Sequence, residues 1–183
     1  DSDPHLPTIH SRCRTIGLRP IPAALIEETL MTRRHVPPDE ANLLAHLADG
    51  RLGWAVAAHA DHSLLQERRA HLDALYKALR GSLVARFALA ESLARKADAL
   101  PPLLRTWLSW WRDMALLAYG RRPTELLSNV DEMGQLHELA GQWPRAGVLA
   151  ALQQTETALR QLAQNANTRL VLENVMLSYP STL

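Results

Sequence analysis

The chain reads as a mainly α protein, and three observations say so. Leu and Ala dominate a composition that is 47% hydrophobic but only 5% aromatic, and both are strong helix formers while β-branched residues are sparse. Apolar residues recur at spacings of three and four over most of the 183 residues. Pro, Gly, Asp and Asn fall between the periodic stretches, where helices stop and start.

The elements follow in order. Residues 1–10 lack a helical period, with Pro4 and Pro7 framing a turn. Arg14 to Arg19 alternates like a short edge strand, whose apolar face needs a sheet that this chain does not supply. After Pro20-Ile21-Pro22 the spacing predicts a helix from Ala23 to Arg33, with Leu25, Ile26, Thr29 and Leu30 on one face. Asp39 is expected to cap a second helix, Glu40 to Ala48. Asp49-Gly50 ends it, and Arg51 to Ala60 makes a third. Longer helices follow: one capped by Ser63 and running to Leu79, one from Gly81-Ser82 to about Ala97, and one opened by Pro101 and ending near Gly120. Arg121-Arg122-Pro123 is read as a loop. Asn129-Val130-Asp131 leads a helix to Gln142, Pro144 opens one to about Asn165, and Thr168 caps the last, through Leu177, before Pro180. The expected architecture is a small three-helix unit over 20–62 and a bundle of five or six helices over 63–183.

Charge and special residues narrow the function classes. Net charge is +1, so the chain as a whole is no strong polyanion binder. Eighteen of the twenty basic residues are Arg; this reads either as selection for phosphate and carboxylate forks or, with more weight, as the codon bias of a GC-rich genome. Cys13 is the single cysteine, which removes intrachain disulfides and cysteine metal sites and fits a reducing cytoplasm. It is expected to be a small buried hydrophobe rather than a reactive thiol. No run approaches a membrane span of about 18 apolar residues. No Walker A loop, Gly-rich dinucleotide turn or Ser nucleophile elbow occurs. His59 and His62 stand at i,i+3, with His46 in addition, but zinc needs three or four convergent ligands and no Glu-x-x-His occurs. Surface histidines, with no metal and no cofactor held by this chain, are the expectation.

Three further segments admit chemistry. Leu103, Trp107, Trp110, Trp111, Met114 and Leu117 share one helix face; they could stack nucleic-acid bases, but core is the expected place for such large side chains. In Asn165-Ala166-Asn167-Thr168-Arg169-Leu170-Val171-Leu172-Glu173 the asparagines end one helix and Thr168 starts the next. Leu170, Val171, Val175 and Leu177 are expected to fill the bundle, with Arg169 and Glu173 pairing at i,i+4. Arg68-Arg69 and Arg121-Arg122 either touch DNA or solvate a face, and isolated doublets favour the second.

The run Leu6-Pro7-Thr8-Ile9-His10-Ser11-Arg12-Cys13 resembles the Leu-Pro-Thr-Ile-x-Ser-Arg-Cys segment of the delta-prime family of bacterial DNA polymerase III clamp-loader subunits, members of the AAA+ class. The family usually has two leucines before the proline; here His5 precedes a single Leu6. Asn165 to Glu173 is similar to the Asn-x-Asn-x-Arg-Leu-x-Leu-Glu run of the family's collar, and Trp110-Trp111-Arg112-Asp113 to its tryptophan-arginine-aspartate stretch. In gamma/tau relatives the lid helix carries a nucleotide-sensing arginine, whose place here is taken by Gly53. From the residues alone, Gly50 ends a helix and Gly53 permits close packing.

The resemblance implies a C-terminal part of a longer protein: the edge of a truncated AAA+ α/β core with the Ser-Arg-Cys motif (1–19), a three-helix AAA+ lid (20–62) and a helical collar for oligomerisation (63–183). It implies a cytoplasmic, non-motor stator of the DNA polymerase III clamp loader, within the DNA-directed DNA polymerase of DNA replication. Arg12, with Ser11, would act in trans as an arginine finger on ATP and Mg bound by a neighbouring subunit. The partners implied are gamma/tau and delta subunits, and through the complex the sliding clamp and primed DNA, with no membrane. Asn165, Asn167, Arg169 and Glu173 are the oligomerisation candidates. A gamma/tau-type ATPase fragment and an unrelated helical protein–protein adaptor stay open.

Overall fold

A computed structural model describes Gly17, residues 19–120 and residues 126–181. Among these residues the chain forms nine α-helices, two 3-10 turns and no strand. The fold is mainly α, as expected. The strand expected over 14–19, Cys13 and the Arg121-Arg122-Pro123 loop fall outside the described residues, apart from Gly17 and Arg19.

Three short helices come first: α1 (Ala23–Arg34), α2 (Pro38–Leu47) and α3 (Leu52–Ala60). Pro37, not Asp39, occupies the cap of α2, because Pro38 takes the first helical position, where a fixed φ suits the helix and the missing N–H costs nothing. Asp39 and Glu40 lie instead in the first turn, where carboxylates offset the positive end of the helix dipole. Ile26, Leu30, Val36, Ala41, Leu44, Ala45, Ala48, Ala55 and Ala58 form the apolar centre of this unit. Asp49 and Gly50 both have positive φ, and a Cβ on Gly50 would lie 2.4 Å from Pro20 Cβ. Conformation and space thus both demand glycine there. Gly53 does not permit close packing: it is exposed, and nothing lies within 4 Å of where its Cβ would be.

The larger unit contains α4 (Ser63–Arg80), α5 (Leu83–Ala94), a 3-10 turn (Ala97–Ala99), α6 (Leu100–Ala118), a second 3-10 turn (Val130–Glu132), α7 (Met133–Ala140), α8 (Arg145–Ala163) and α9 (Thr168–Ser178). Helix α6 is central and packs against α4, α7 and α8, while α9 packs against α5 and α8. Trp107, Trp110 and Trp111 are wholly buried with Leu103 and Met114, and Leu117 is half-buried against them. The tryptophan stripe is core, as expected. Trp110 and Trp111 meet edge to face at 5.0 Å between centroids, and Tyr179 meets Trp111 at 5.0 Å, distances at which the ring quadrupoles attract.

Two caps differ from the expectation. Ser63 is the first residue of α4, and its N–H donates to Asp61 Oδ1 at 2.9 Å. Thr168 is the first residue of α9, and the cap is Asn167, whose Oδ1 accepts from Leu170 N–H at 3.1 Å. In both places a neighbouring Asp or Asn, whose short side chain reaches the free amides well, outcompetes the hydroxyl. The helix expected from Asn129 to Gln142 is divided, because Asn129 and Glu132 are held elsewhere, as described below.

Candidate functional site

The predicted collar residues lie on α9 and the turn before it. Asn165 closes the preceding helix in the left-handed region at φ 58°, a conformation that asparagine tolerates better than most residues. Asn167 caps α9. Arg169 Nε donates to Glu173 Oε1 at 2.8 Å on the exposed surface, and that hydrogen bond holds the guanidinium above its ordinary range, with Glu91 of α5 adding a weaker pull. Ser11 and Arg12 lie outside the described residues.

Leucines 170 and 177 overturn their assignment to the bundle interior. Val171, Leu172, Val175 and Met176 face the core, whereas Leu170 and Leu177 are 58% and 57% exposed. The buried set follows the 3.6-residue period, which leaves Leu170, Glu173 and Leu177 together on the opposite stripe. Arg169 near Glu91, and Leu177 sharing a shallow cavity with Leu83, show α5 and α9 to run antiparallel. Helix α5 adds Leu83, 51% exposed, and Val84, 79% exposed. The outer face of the α5/α9 pair therefore carries four bare apolar side chains beside the Arg169–Glu173 pair. Clustered apolar exposure of this kind marks an interaction surface more often than single exposed leucines do.

Inside the same pair lies Arg86, only 5% exposed. Its Nη1 donates to the carbonyls of Met176 (3.0 Å) and Tyr179 (2.6 Å), and its Nη2 to those of Leu79 (3.4 Å) and Pro180 (3.0 Å). Burial lowers its basicity. Its charge is met by the carbonyl ends of α4 and α9, the negative poles of the two helices. Sequence reasoning missed Arg86; the only signal was a charged residue inside an apolar helix.

A polar joint ties the two units together. Asp113, fully buried on α6, accepts through Oδ2 from Ser128 N (2.9 Å), Asn129 N (2.7 Å) and Asn129 Nδ2 (2.8 Å). Burial pushes its carboxyl up, against the pull of those donors and of Arg112. Arg112 Nη1 reaches across to Asp49 of the small unit at 2.6 Å, and its Nη2 donates to Ser128 Oγ at 2.5 Å. His46 Nδ1 donates to Leu127 O at 2.8 Å. The tryptophan-arginine-aspartate stretch thus builds both the core and the joint.

The Arg68-Arg69 doublet is committed within the chain. Arg68 holds Asp131 in a fork (2.6 and 3.0 Å) and Asn129 (2.8 Å). Arg69 pairs with Glu132 at 2.6 Å and Asp73 at 3.3 Å. Glu132 is itself buried and accepts from Tyr76 Oη at 2.7 Å, and the phenol is pushed well up by burial and by that carboxylate. These bonds fix the 3-10 turn and explain the divided helix.

His59 pairs with Glu40 at 2.8 Å. No group of three or more His, Cys, Asp or Glu among the described residues could hold a metal ion. No helix among them is long and apolar enough to cross a membrane.

His71 is the histidine with a clear electrostatic consequence. Nearly buried on α4, its Nδ1 lies 3.3 Å from Thr106 Oγ1, and burial lowers its pKa from 6.5 against the weaker pull of Glu67. The unfolded chain therefore takes up this proton first. Stability contributed by the neutral ring is complete above pH 6.5 and declines as pH falls below it, towards the lower folded value. Urea denaturation at a series of pH values should show that decline, and His71→Gln should flatten it.

Residues 62–179, from the start of α4 to the end of the last helix, match the family model described as DNA polymerase III, delta subunit, C terminal. No curated protein matches the chain, and no solved structure does. The matched span is the α4–α9 bundle with its tryptophan core, its Arg86 tie and its apolar outer face. The chain belongs to the family of the C-terminal domain of the DNA polymerase III delta subunit, and so is a clamp-loader subunit of DNA replication.

Proposed function

We propose that this chain is the lid (20–62) and collar (63–183) of a delta-prime subunit, the non-motor stator of the clamp loader. The observation that carries the reading is the outward apolar stripe of Leu83, Val84, Leu170 and Leu177 on the matched bundle. A bundle that already owns a complete core has no use for those side chains except against another subunit. The Arg169–Glu173 pair borders the stripe and supplies register, while Asn165 and Asn167 set the angle of α9. The partners are gamma/tau and delta subunits, and through them the sliding clamp and primed DNA.

Delta-prime is favoured over a motor subunit by the Ser-Arg-Cys segment and by Gly53 at the sensor position. Gly53 is exposed, with open space about it, so a larger residue would fit there. Arg12 serves as the finger on a neighbour's ATP, with Ser11 beside it; ATP and Mg belong to the neighbouring subunits.

Reconstitution of the loader tests both halves. Val84→Asp combined with Leu177→Asp should reduce incorporation of the subunit by tenfold or more, about the effect of placing charges in a desolvated interface centre, with unchanged thermal stability of the isolated chain. Arg12→Ala should leave incorporation intact and lower neighbour ATP hydrolysis by about tenfold or more, a modest part of what fingers in trans achieve in GTPases. Full ATPase activity with Arg12→Ala would remove the finger, and full incorporation of the double variant would remove the interface.

A further inference from the structure

A second cavity, remote from the α5/α9 face, lies at the junction of the two units. It encloses about 280 Å³ and is walled by Leu47 and Trp54 of the small unit, Leu64 of α4 and Pro102 of α6. Two arginines line it from opposite units, Arg51 before α3 and Arg105 on α6. Six arginines among the described residues hold carboxylates: Arg68, Arg69, Arg95, Arg112, Arg160 and Arg169. Arg51 uses only Nε, which donates to Ala48 O at 3.0 Å. Its two terminal nitrogens, and all of Arg105, have no hydrogen-bond or ion-pair partner among the described residues. Arg68 also lines the cavity but is neutralised by Asp131. Glu67 is the one carboxylate in the lining, and it leans 3.7 Å from His71 Nε2. Thr106 and Ser109 add neutral hydroxyls.

We propose that this cavity is a binding site for a mononucleotide-sized organic anion, its phosphate held between Arg51 and Arg105 and its flat body against Trp54. Guanidinium forks match phosphate oxygens, and an indole face takes any base by stacking. The volume is at the small end for ligand sites, which excludes a dinucleotide or a polymer strand. The two cations come from different units, so an occupant bridges the joint already made by Arg112 and Asp49. The site involves neither Arg12 nor the α5/α9 face and stands apart from the reading of the chain as delta-prime.

Titration calorimetry of the full-length protein with AMP, adenosine and inorganic phosphate tests it. AMP should bind once per chain and quench Trp54 fluorescence, a signal lost in Trp54→Phe. Arg51→Ala and Arg105→Ala should each weaken AMP about tenfold, the usual effect of one charge-assisted contact. Both side chains are exposed, so circular dichroism should show an unchanged fold. Glu67→Gln should tighten AMP binding, an effect opposite in sign to any loss of structure. AMP that fails to bind at millimolar concentration, or binds the double arginine variant equally well, overturns the proposal. So does phosphate binding as tightly as AMP, which would leave an adventitious ion only.

Discussion

Asp113→Ala is expected to destabilise the protein by about 3–5 kcal/mol, the cost of removing one partner from a buried, hydrogen-bonded charge cluster. The variant strips three donors of their acceptor at once: Ser128 N, Asn129 N and Asn129 Nδ2. The backbone amides are buried and cannot turn to water, so each keeps its desolvation penalty. Arg112 loses one of its two carboxylates but keeps Asp49, and being more than a third exposed it can rehydrate. Arg112→Ala should therefore be milder than Asp113→Ala. Urea denaturation followed by tryptophan fluorescence, which reports mainly the larger unit, and by circular dichroism, which reports both, gives the numbers. If the joint couples the units, Asp113→Ala should separate two transitions that coincide in the parent. Coincident transitions and a loss under about 1 kcal/mol would show that the cluster is held by its surroundings.

Arg86→Ala carries the second large effect, about 2–4 kcal/mol, because it leaves several carbonyls at two helix ends without donors. The four acceptors are Met176, Tyr179, Leu79 and Pro180, so the loss should fall on the last turn of α9 and on Tyr179. Hydrogen exchange should rise first in residues 172–179. Arg86→Lys retains the charge but offers one compact head where four carbonyls need a fork; it should recover less than half of the lost stability. Complete rescue by lysine would mean that charge against the helix dipoles, rather than the number of donors, holds this end of the bundle. Arg86→Met fills most of the volume and should behave like alanine if hydrogen bonding is the dominant contribution.

The helices themselves were legible in the sequence. Pro, Gly and Asn bound them, and the tryptophan stripe on α6 lies at the spacing of a buried face. What escaped was chemistry that depends on distant partners. Asp113 lies next to a tryptophan-rich core in sequence, but nothing local says that residues 128 and 129 will bind it. Arg86 is one of two charges in Leu83–Ala94, and its role exists only when α9 arrives. Leu170 and Leu177 were misassigned because a leucine near a helix end carries no label of its face; the period through Val171, Leu172, Val175 and Met176 decides it. The cap at Asn167, and the Asp61 carboxylate that accepts from Ser63 N–H beside the His62 cap, stand one and two residues ahead of Thr168 and Ser63, where competing side chains have similar reach. The Arg68-Arg69 doublet, read as a solvated face, instead pins the turn at Val130–Glu132. Of the candidate residues, Arg169, Glu173, Asn165 and Asn167 stand on or beside the exposed face, and Ser11 and Arg12 lie outside the described residues.

The short stretch from Leu127 to Asp131 touches the assembly at three separated points: His46 through a carbonyl, Arg112 and Asp49 through Ser128, and Arg68 through Asp131. Two of these contacts, His46 with Leu127 and Asp49 with Arg112 and Ser128, cross between two bodies joined in sequence by only two residues, Asp61 and His62, while Arg68 steadies the same stretch from within the larger unit. Domains in one chain ordinarily swing; here a torque applied to the front piece would be handed to the rear one through those two contacts, as through the keystone of an arch.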